Sequence, residues 1–153
     1  MKVVVQRVKS SSVSVNGKLV GAIGKGLNVL LAIKKDDNEI DADFLIKKIM
    51  QLRIFEDEES KMNLSINDVD GELLIISQFT LYGDCKKGNR PSYSQSASAE
   101  KARELYEYFI KTIKSKDSNK IECGEFQSDM LVDIKNDGPV TLIVESKVKN
   151  GKT

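Results

Sequence analysis

The stretch Asp129-Met-Leu-Val-Asp-Ile-Lys-Asn-Asp-Gly-Pro-Val-Thr-Leu-Ile-Val-Glu-Ser146 decides the fold. Val132, Ile134, Val140, Leu142 and Val144 fall at alternating positions on either side of Gly138-Pro139. Both flanks therefore read as half-buried β-strand. Proline has no N–H and interrupts a central ladder, so the pair predicts a hairpin tip joining two strands. X-Pro is also where cis peptides occur. A cis Gly138-Pro139 peptide at such a tip would hold two backbone carbonyls in a fixed direction. The plain alternative is an Asn136-Asp-Gly-Pro139 turn that does no more than reverse the chain.

Outward from that stretch the pattern is strands, helix, strand, helix, strands. Val3 to Val8 reads as a first strand. Ser11 to Val15 and Lys18 to Ile23 flank Asn16-Gly17, a type I′ hairpin signal. Leu27 to Ile33 reads as a buried strand. From Ile40 to Leu52, Phe44, Leu45, Ile49 and Leu52 recur at helical spacing, with Asp41 and Asp43 near the N-terminal end. Phe55 to Asp70 is polar and reads as a loop with one short strand. Leu73 to Leu81 is the most apolar strand, and a glycine-rich basic loop follows it to Tyr93. Ala102, Leu105, Tyr106, Phe109, Ile110 and Ile113 mark a second helix. Lys111 to Lys120 reads as a solvated linker, Ile121 to Phe126 as a further strand, and Lys147 to Thr153 as a frayed tail. This predicts an α+β fold: a mostly antiparallel, curled or barrel-like β-sheet with two main helices packed outside, in one domain spanning 1–153.

Composition narrows the chemistry. Hydrophobic residues make up 40% of the 153, and 24 basic residues oppose 23 acidic ones for a net charge of +1. That balance argues against a uniformly basic nucleic-acid binder while permitting a local basic patch. No apolar run approaches the ~18 residues of a membrane span, and the N-terminus reads as strand rather than signal peptide. Cys85 and Cys123 stand apart without metal-ligand spacing, which suits a reduced, cytoplasmic protein. Histidine is absent. A Ser-His-Asp triad and a Cys-His pair are thereby excluded.

The polar run Ser77-Gln-Phe-Thr80 closes the most apolar strand. Strand alternation puts Gln78 and Thr80 on one face, where they can line a pocket, and Ser77 and Phe79 on the other. Thr80 lacks a base to make it a nucleophile. Backbone N–H groups at Phe79 and its neighbours can hold an oxyanion without side-chain chemistry. Lys86, Lys87 and Arg90 follow directly, three cations suited to phosphate.

Leu74-Ile-Ile-Ser-Gln-Phe-Thr-Leu-Tyr-Gly-Asp84, then Lys87-Gly-Asn-Arg-Pro-Ser-Tyr93, then Asn136-Asp-Gly-Pro-Val-Thr141 closely resemble the D-aminoacyl-tRNA deacylase family, of the D-tyrosyl-tRNA(Tyr) deacylase type. The opening Met1 to Val8, with Gln6-Arg7, matches the family start, and the resemblance runs from Met1 to Ser146. It implies a homodimer that hydrolyses the ester between a D-amino acid and the 3′-terminal adenosine of tRNA. Gln78, Phe79 and Thr80 would be the catalytic segment, and Ser77, Met130, Gly138 and Pro139 would bind substrate. The cis Gly138-Pro139 pair would reach into the partner's pocket, hold the α-amino group and exclude an L side chain. Glycine, having no side chain, would also be removed. Lys86, Lys87 and Arg90 would contact tRNA. No metal or cofactor is expected, and the RNA 2′-hydroxyl would help activate water. Two other readings stand beside this one: a non-catalytic nucleic-acid-binding dimer, and a hydrolase of free D-amino acid esters.

Overall fold

The computed structural model describes residues 1–147. Its strands are β1 (Lys2–Val15), β2 (Lys18–Ile23), β3 (Gly26–Ala32), β4 (Phe55–Glu56), β5 (Met62–Leu64), β6 (Glu72–Ser77), β7 (Ile121–Cys123) and β8 (Leu131–Glu145); its helices are α1 (Glu39–Gln51) and α2 (Ala99–Lys116). The expected α+β class with a curled, barrel-like sheet holds. The sheet is mixed: β1 pairs antiparallel with β2, β3 and β8, while β3–β6 and β6–β7 are parallel. The strands β4 and β5 form a separate small sheet, where the sequence suggests one short strand.

The long strand β1 organises the whole. The sequence reads it as two strands, but it runs unbroken from Lys2 to Val15. One edge pairs with β8 from Lys2 to Ser14. Its other edge is shared, Lys2 to Val8 against β3 and Ser11 to Val15 against β2. Between Val8 and Ser10 the register slips by one residue against β8. A one-residue bulge inverts the alternation, so Val8 and Val13, an odd number of residues apart, enter one cluster.

Alternation divides β6 the same way. Leu73 and Ile75 face the helices in the larger core, with Leu45, Ile49, Phe109 and Ile113. Leu74 and Ile76 face the barrel interior with Val8, Val13 and Ile23. The barrel closes where β2 approaches β7: a Cβ on Gly21 would stand 3.1 Å from the Cys123 carbonyl oxygen. That close approach suits glycine.

Two connections differ from expectation. The Lys111–Lys116 segment belongs to α2, because Phe109 and Ile113 keep the buried stripe going while the lysines face outward. The Gly138-Pro139 flanks do not form a hairpin. They belong to one strand, β8, whose two halves both pair with β1. Gln6 pairs with Thr141 and Val8 with Asn136, so two residues of advance on β1 match five on β8. The surplus, including Asp137, Gly138 and Pro139, bulges outward, where a missing N–H breaks no ladder bond. The tail expected to fray lies outside the described residues beyond Lys147. No helix among the described residues is long and apolar enough to cross a membrane.

Candidate active site

The apolar run of β6 ends earlier than its sequence suggests. After Ser77 the chain bends into a short 3-10 helix, Phe79–Tyr82, with Gln78 at its N-terminal boundary. The Gln78 N–H donates to the Leu31 carbonyl at 2.7 Å, which ties the end of β6 to β3. Gln78 and Thr80 therefore do not share a strand face, because neither is in a strand. The segment is not buried either: Phe79 and Thr80 are exposed and Gln78 half-exposed. The Gln78 and Thr80 side chains meet each other at this open bend, Gln78 Nε2 donating to Thr80 Oγ1.

A cavity of about 740 Å³ opens beside this bend. That lies within the ~300–1,000 Å³ usual for ligand sites. Ser77, Gln78 and Phe79 form one wall. Ala97, Ala99 and Ala102 form a second at the start of α2, where small side chains leave the space open. The connection between β7 and β8, Phe126 to Met130, forms a third, and Leu31, Ile33, Ile76 and Val132 complete the lining. Among the lining residues only Asp129 is ionisable.

The third wall is clamped from α2. Arg103 Nη2 donates to Gln127 Oε1 at 2.9 Å, and its guanidinium lies 4.8 Å from the Phe126 ring centroid. Phe126 packs in turn on Tyr106, with centroids 5.6 Å apart. Burial holds the Tyr106 phenol well above the usual tyrosine range, so it stays neutral and donates to the Ile75 carbonyl at 3.3 Å. Met130 is seated against Gly124, where a Cβ would stand 2.6 Å from the Met130 sulfur.

Of the residues singled out by sequence, the structure brings Ser77, Gln78, Phe79 and Met130 to one cavity. Ser77 and Phe79 line the cavity together with Gln78, although strand alternation would put them on the opposite face from it. Thr80, Gly138, Pro139, Lys86, Lys87 and Arg90 do not line it. Thr80 Oγ1 accepts a 2.5 Å hydrogen bond from Gln78 Nε2. Lys86, Lys87 and Arg90 are exposed on the loop after the 3-10 helix.

The Gly138-Pro139 peptide is cis, as the sequence suggests, and Gly138 has φ +124°. Both residues are exposed. Beneath them lies Arg7, 6% exposed, which the sequence reading leaves without a role. Its Nε donates to the Asp137 carbonyl at 3.2 Å and its Nη1 to the Ile54 carbonyl at 2.8 Å. The Asp137 carboxylate lies 3.7 Å from Nε. A Cβ on Gly138 would stand 3.0 Å from Arg7 Nη2 and 2.9 Å from Val140 Cγ2. The signal for Arg7 is its phase: it follows Val3 and Val5 at a period of two, and a cation on a core face needs partners. The Ala97, Ala99 and Ala102 wall carries no sequence signal beyond small size.

The chain is similar to known proteins along nearly its whole length. The family model described as D-Tyr-tRNA(Tyr) deacylase matches residues 4–145. A D-aminoacyl-tRNA deacylase of Thermosipho melanesiensis is 58% identical over 147 residues, covering 96% of this chain and 98% of that protein. One from Clostridium tetani is 59% identical with the same coverage. Among solved structures, a c-Myc DNA Unwinding Element Binding Protein superposes with a TM-score of 0.92 at 40% identity, over 97% of this chain and all of that one. A probable eukaryotic D-amino acid tRNA deacylase shares the fold, with a TM-score of 0.81 at 17% identity, over 94% and 98% of the two chains. With a family match across nearly its whole length and relatives this close, the chain belongs to the D-Tyr-tRNA(Tyr) deacylase family.

Proposed function

We propose that this protein hydrolyses the ester joining a D-amino acid to the 3′-terminal adenosine of tRNA, and that it clears glycine from mischarged tRNA in the same site. The observation that carries the reading is the near-full-length identity to proteins named D-aminoacyl-tRNA deacylase. The cavity beside Ser77, Gln78 and Phe79 supports it by offering room for a nucleoside and an ester.

In this reading the terminal adenosine enters the cavity and the ester carbonyl faces the bend after Ser77. Water attacks the carbonyl carbon, the C–O bond to the ribose breaks, and the ribose oxygen takes up a proton. The first N–H groups of a 3-10 helix have no partner within it, so those of Phe79 and Thr80 can hold the developing oxyanion. The ribose 2′-hydroxyl assists the water, which suits a chain without histidine. Thr80, which stands just outside the cavity lining, is not a nucleophile, since its oxygen already accepts from Gln78.

Chirality is read across a two-fold dimer. The exposed Gly138-Pro139 bulge of one protomer enters the partner's cavity, where its carbonyls hold the α-amino group and leave no room for an L side chain. Rejection by clash is strict where attraction is not, and it tolerates many D side chains. Lys86, Lys87 and Arg90 meet the tRNA phosphates. We take the chain as one deacylase domain working in the cytoplasm, where its substrate is.

The name of the 40%-identical structural relative, a DNA-element-binding protein, favours a second reading, nucleic-acid binding. One experiment separates the readings. Purified protein is given D- and L-aminoacyl-tRNA and a free D-amino acid ester. Rapid release from the D-aminoacyl-tRNA alone is expected. Binding of tRNA without release supports the binder, and equal turnover of the free ester supports a hydrolase with no need for RNA.

A further inference from the structure

Phe79 and Tyr93 form an exposed aromatic pair at the rim of the cavity. Their ring centroids lie 5.1 Å apart at an interplanar angle of 67°. Phe79 is 54% exposed and Tyr93 41%. Because Phe79 also lines the cavity, the pair carries an apolar wall out onto the surface.

The pair sits on an ordered base. Asp84 and Ser92 exchange backbone hydrogen bonds of 2.7 and 2.9 Å across the foot of the loop. Asp84 Oδ1 accepts from the Lys86 N–H at 3.0 Å. Gly83 seats the tyrosine: a Cβ there would stand 3.1 Å from Tyr93 Cε1. Between these anchors the loop presents Lys86, Lys87 and Arg90, all exposed. None of the three is in an ion pair among the described residues.

A rigid open ring beside unpaired cations matches one chemistry closely, an unpaired nucleobase carrying its phosphate. A duplex hides its base faces, and an acidic peptide has no use for the rings. We infer that Tyr93, braced edge-on by Phe79, is a stacking platform for the base preceding the terminal nucleotide of a single-stranded RNA end. Lys86, Lys87 and Arg90 take the adjoining phosphates. Every base has a π-face, so the platform accepts any base at that position. This rests on the deacylase reading for the terminal nucleotide's place in the cavity.

The test uses a five-nucleotide RNA ending in adenosine, with 2-aminopurine as the penultimate base. Its fluorescence is quenched when the base stacks. Wild-type protein is expected to quench it. Tyr93→Ala and Tyr93→Leu should each weaken binding about 5- to 100-fold, and Tyr93→Trp should restore it. Tyr93→Leu keeps apolar bulk over Gly83, so its loss reports the ring rather than the fold, and urea midpoints check this. On D-aminoacyl-tRNA the same variants should raise KM by the same factor with kcat held within twofold. Unquenched probe, or equal affinity in Tyr93→Leu, overturns the platform. So does dissociation of a dimer in Tyr93→Ala, which would mean that a second copy of the chain covers the pair. The probe has no ester. A protein that binds it through Tyr93 yet leaves D-aminoacyl-tRNA intact keeps the platform and sinks the deacylase reading, while active protein indifferent to Tyr93 does the reverse.

Discussion

At the scale of single residues, Thr80 and Arg7 exchange the importance that sequence alone gives them. Thr80 stands out in a motif, yet it is exposed, and its oxygen accepts from an amide rather than facing a base. Thr80→Ala should lower kcat on D-aminoacyl-tRNA by less than about tenfold, well short of the ~10²–10³-fold cost of removing an oxyanion donor. An acyl group trapped on Thr80 in a rapid-quench experiment would refute this. Arg7 stands out only as a charge in an apolar alternation, yet it is buried and serves the carbonyls of Ile54 and Asp137. Arg7→Ala leaves both acceptors unsatisfied at ~1–3 kcal/mol each. We expect a loss of ~2–4 kcal/mol in urea denaturation. A midpoint equal to wild type would show that water replaces the guanidinium. The run Ser77-Gln-Phe-Thr80 made one wall of the cavity legible, through Ser77, Gln78 and Phe79. Arg7 and Arg103 were not, because their partners lie far off in the chain or depend on where a loop folds back.

At the scale of elements, α1 was legible to within a residue at each end, because a stripe at 3.6 spacing specifies its own length, whereas α2 runs on to Lys116 through a basic segment that reads as linker. The end of β6 was not, since Phe79, Thr80 and Leu81 suit a strand by propensity, and only the tertiary bend at Gln78 stops them. Continuity of β8 was hidden for a related reason: Gly-Pro marks a break in any local reading, and only a long neighbour can bridge it. The α1 N-terminus shows how a cap and a distant segment combine. Asn38 Oδ1 accepts from the Ile40 N–H, while Asp41 Oδ2 accepts from the Asn38 N–H, each at 2.9 Å. Asp41 Oδ1 accepts from Ser146 Oγ at 2.7 Å. Burial alone would raise the Asp41 pKa, but these hydrogen bonds, with Lys147 and the Met1 ammonium, hold it below the ordinary value of 3.8. A carboxyl depressed in the folded state stabilises above its unfolded pKa and ceases to as the pH falls through the folded one. Asp41→Asn should therefore lower the urea midpoint at pH 7, and the gap to wild type should shrink below about pH 4. A gap constant from pH 7 to pH 3 would show that the charge has no part in it.

At the scale of the whole molecule, the β-barrel-like class was legible but the parallel β3–β6 and β6–β7 pairings were not, since alternation says nothing of strand direction. If each Gly138-Pro139 bulge completes its partner's cavity, specific activity should fall as the protein is diluted past its dimer dissociation constant, while activity per protomer that is constant through dissociation would mean each chain is complete alone. If the loop after the 3-10 helix meets phosphates, neutralising Lys86, Lys87 or Arg90 singly should weaken all tRNAs alike and reduce the salt slope by roughly 0.7–0.9 per cation. A triple mutant with an unaltered slope would leave the loop merely solvated. The long β1 strand has a further consequence, for the birth of the protein. Lys2 pairs with Glu145 and Ser14 with Leu131, so one edge of the first strand made waits for the last. At ~5–20 residues per second of synthesis, that edge stays open for on the order of ten seconds on every nascent chain. Until β8 emerges, an unpaired β-edge is a template for any neighbouring strand. A chain ending after Ser128 should therefore aggregate, and the ribosome-bound intermediate is where a chaperone has most to protect.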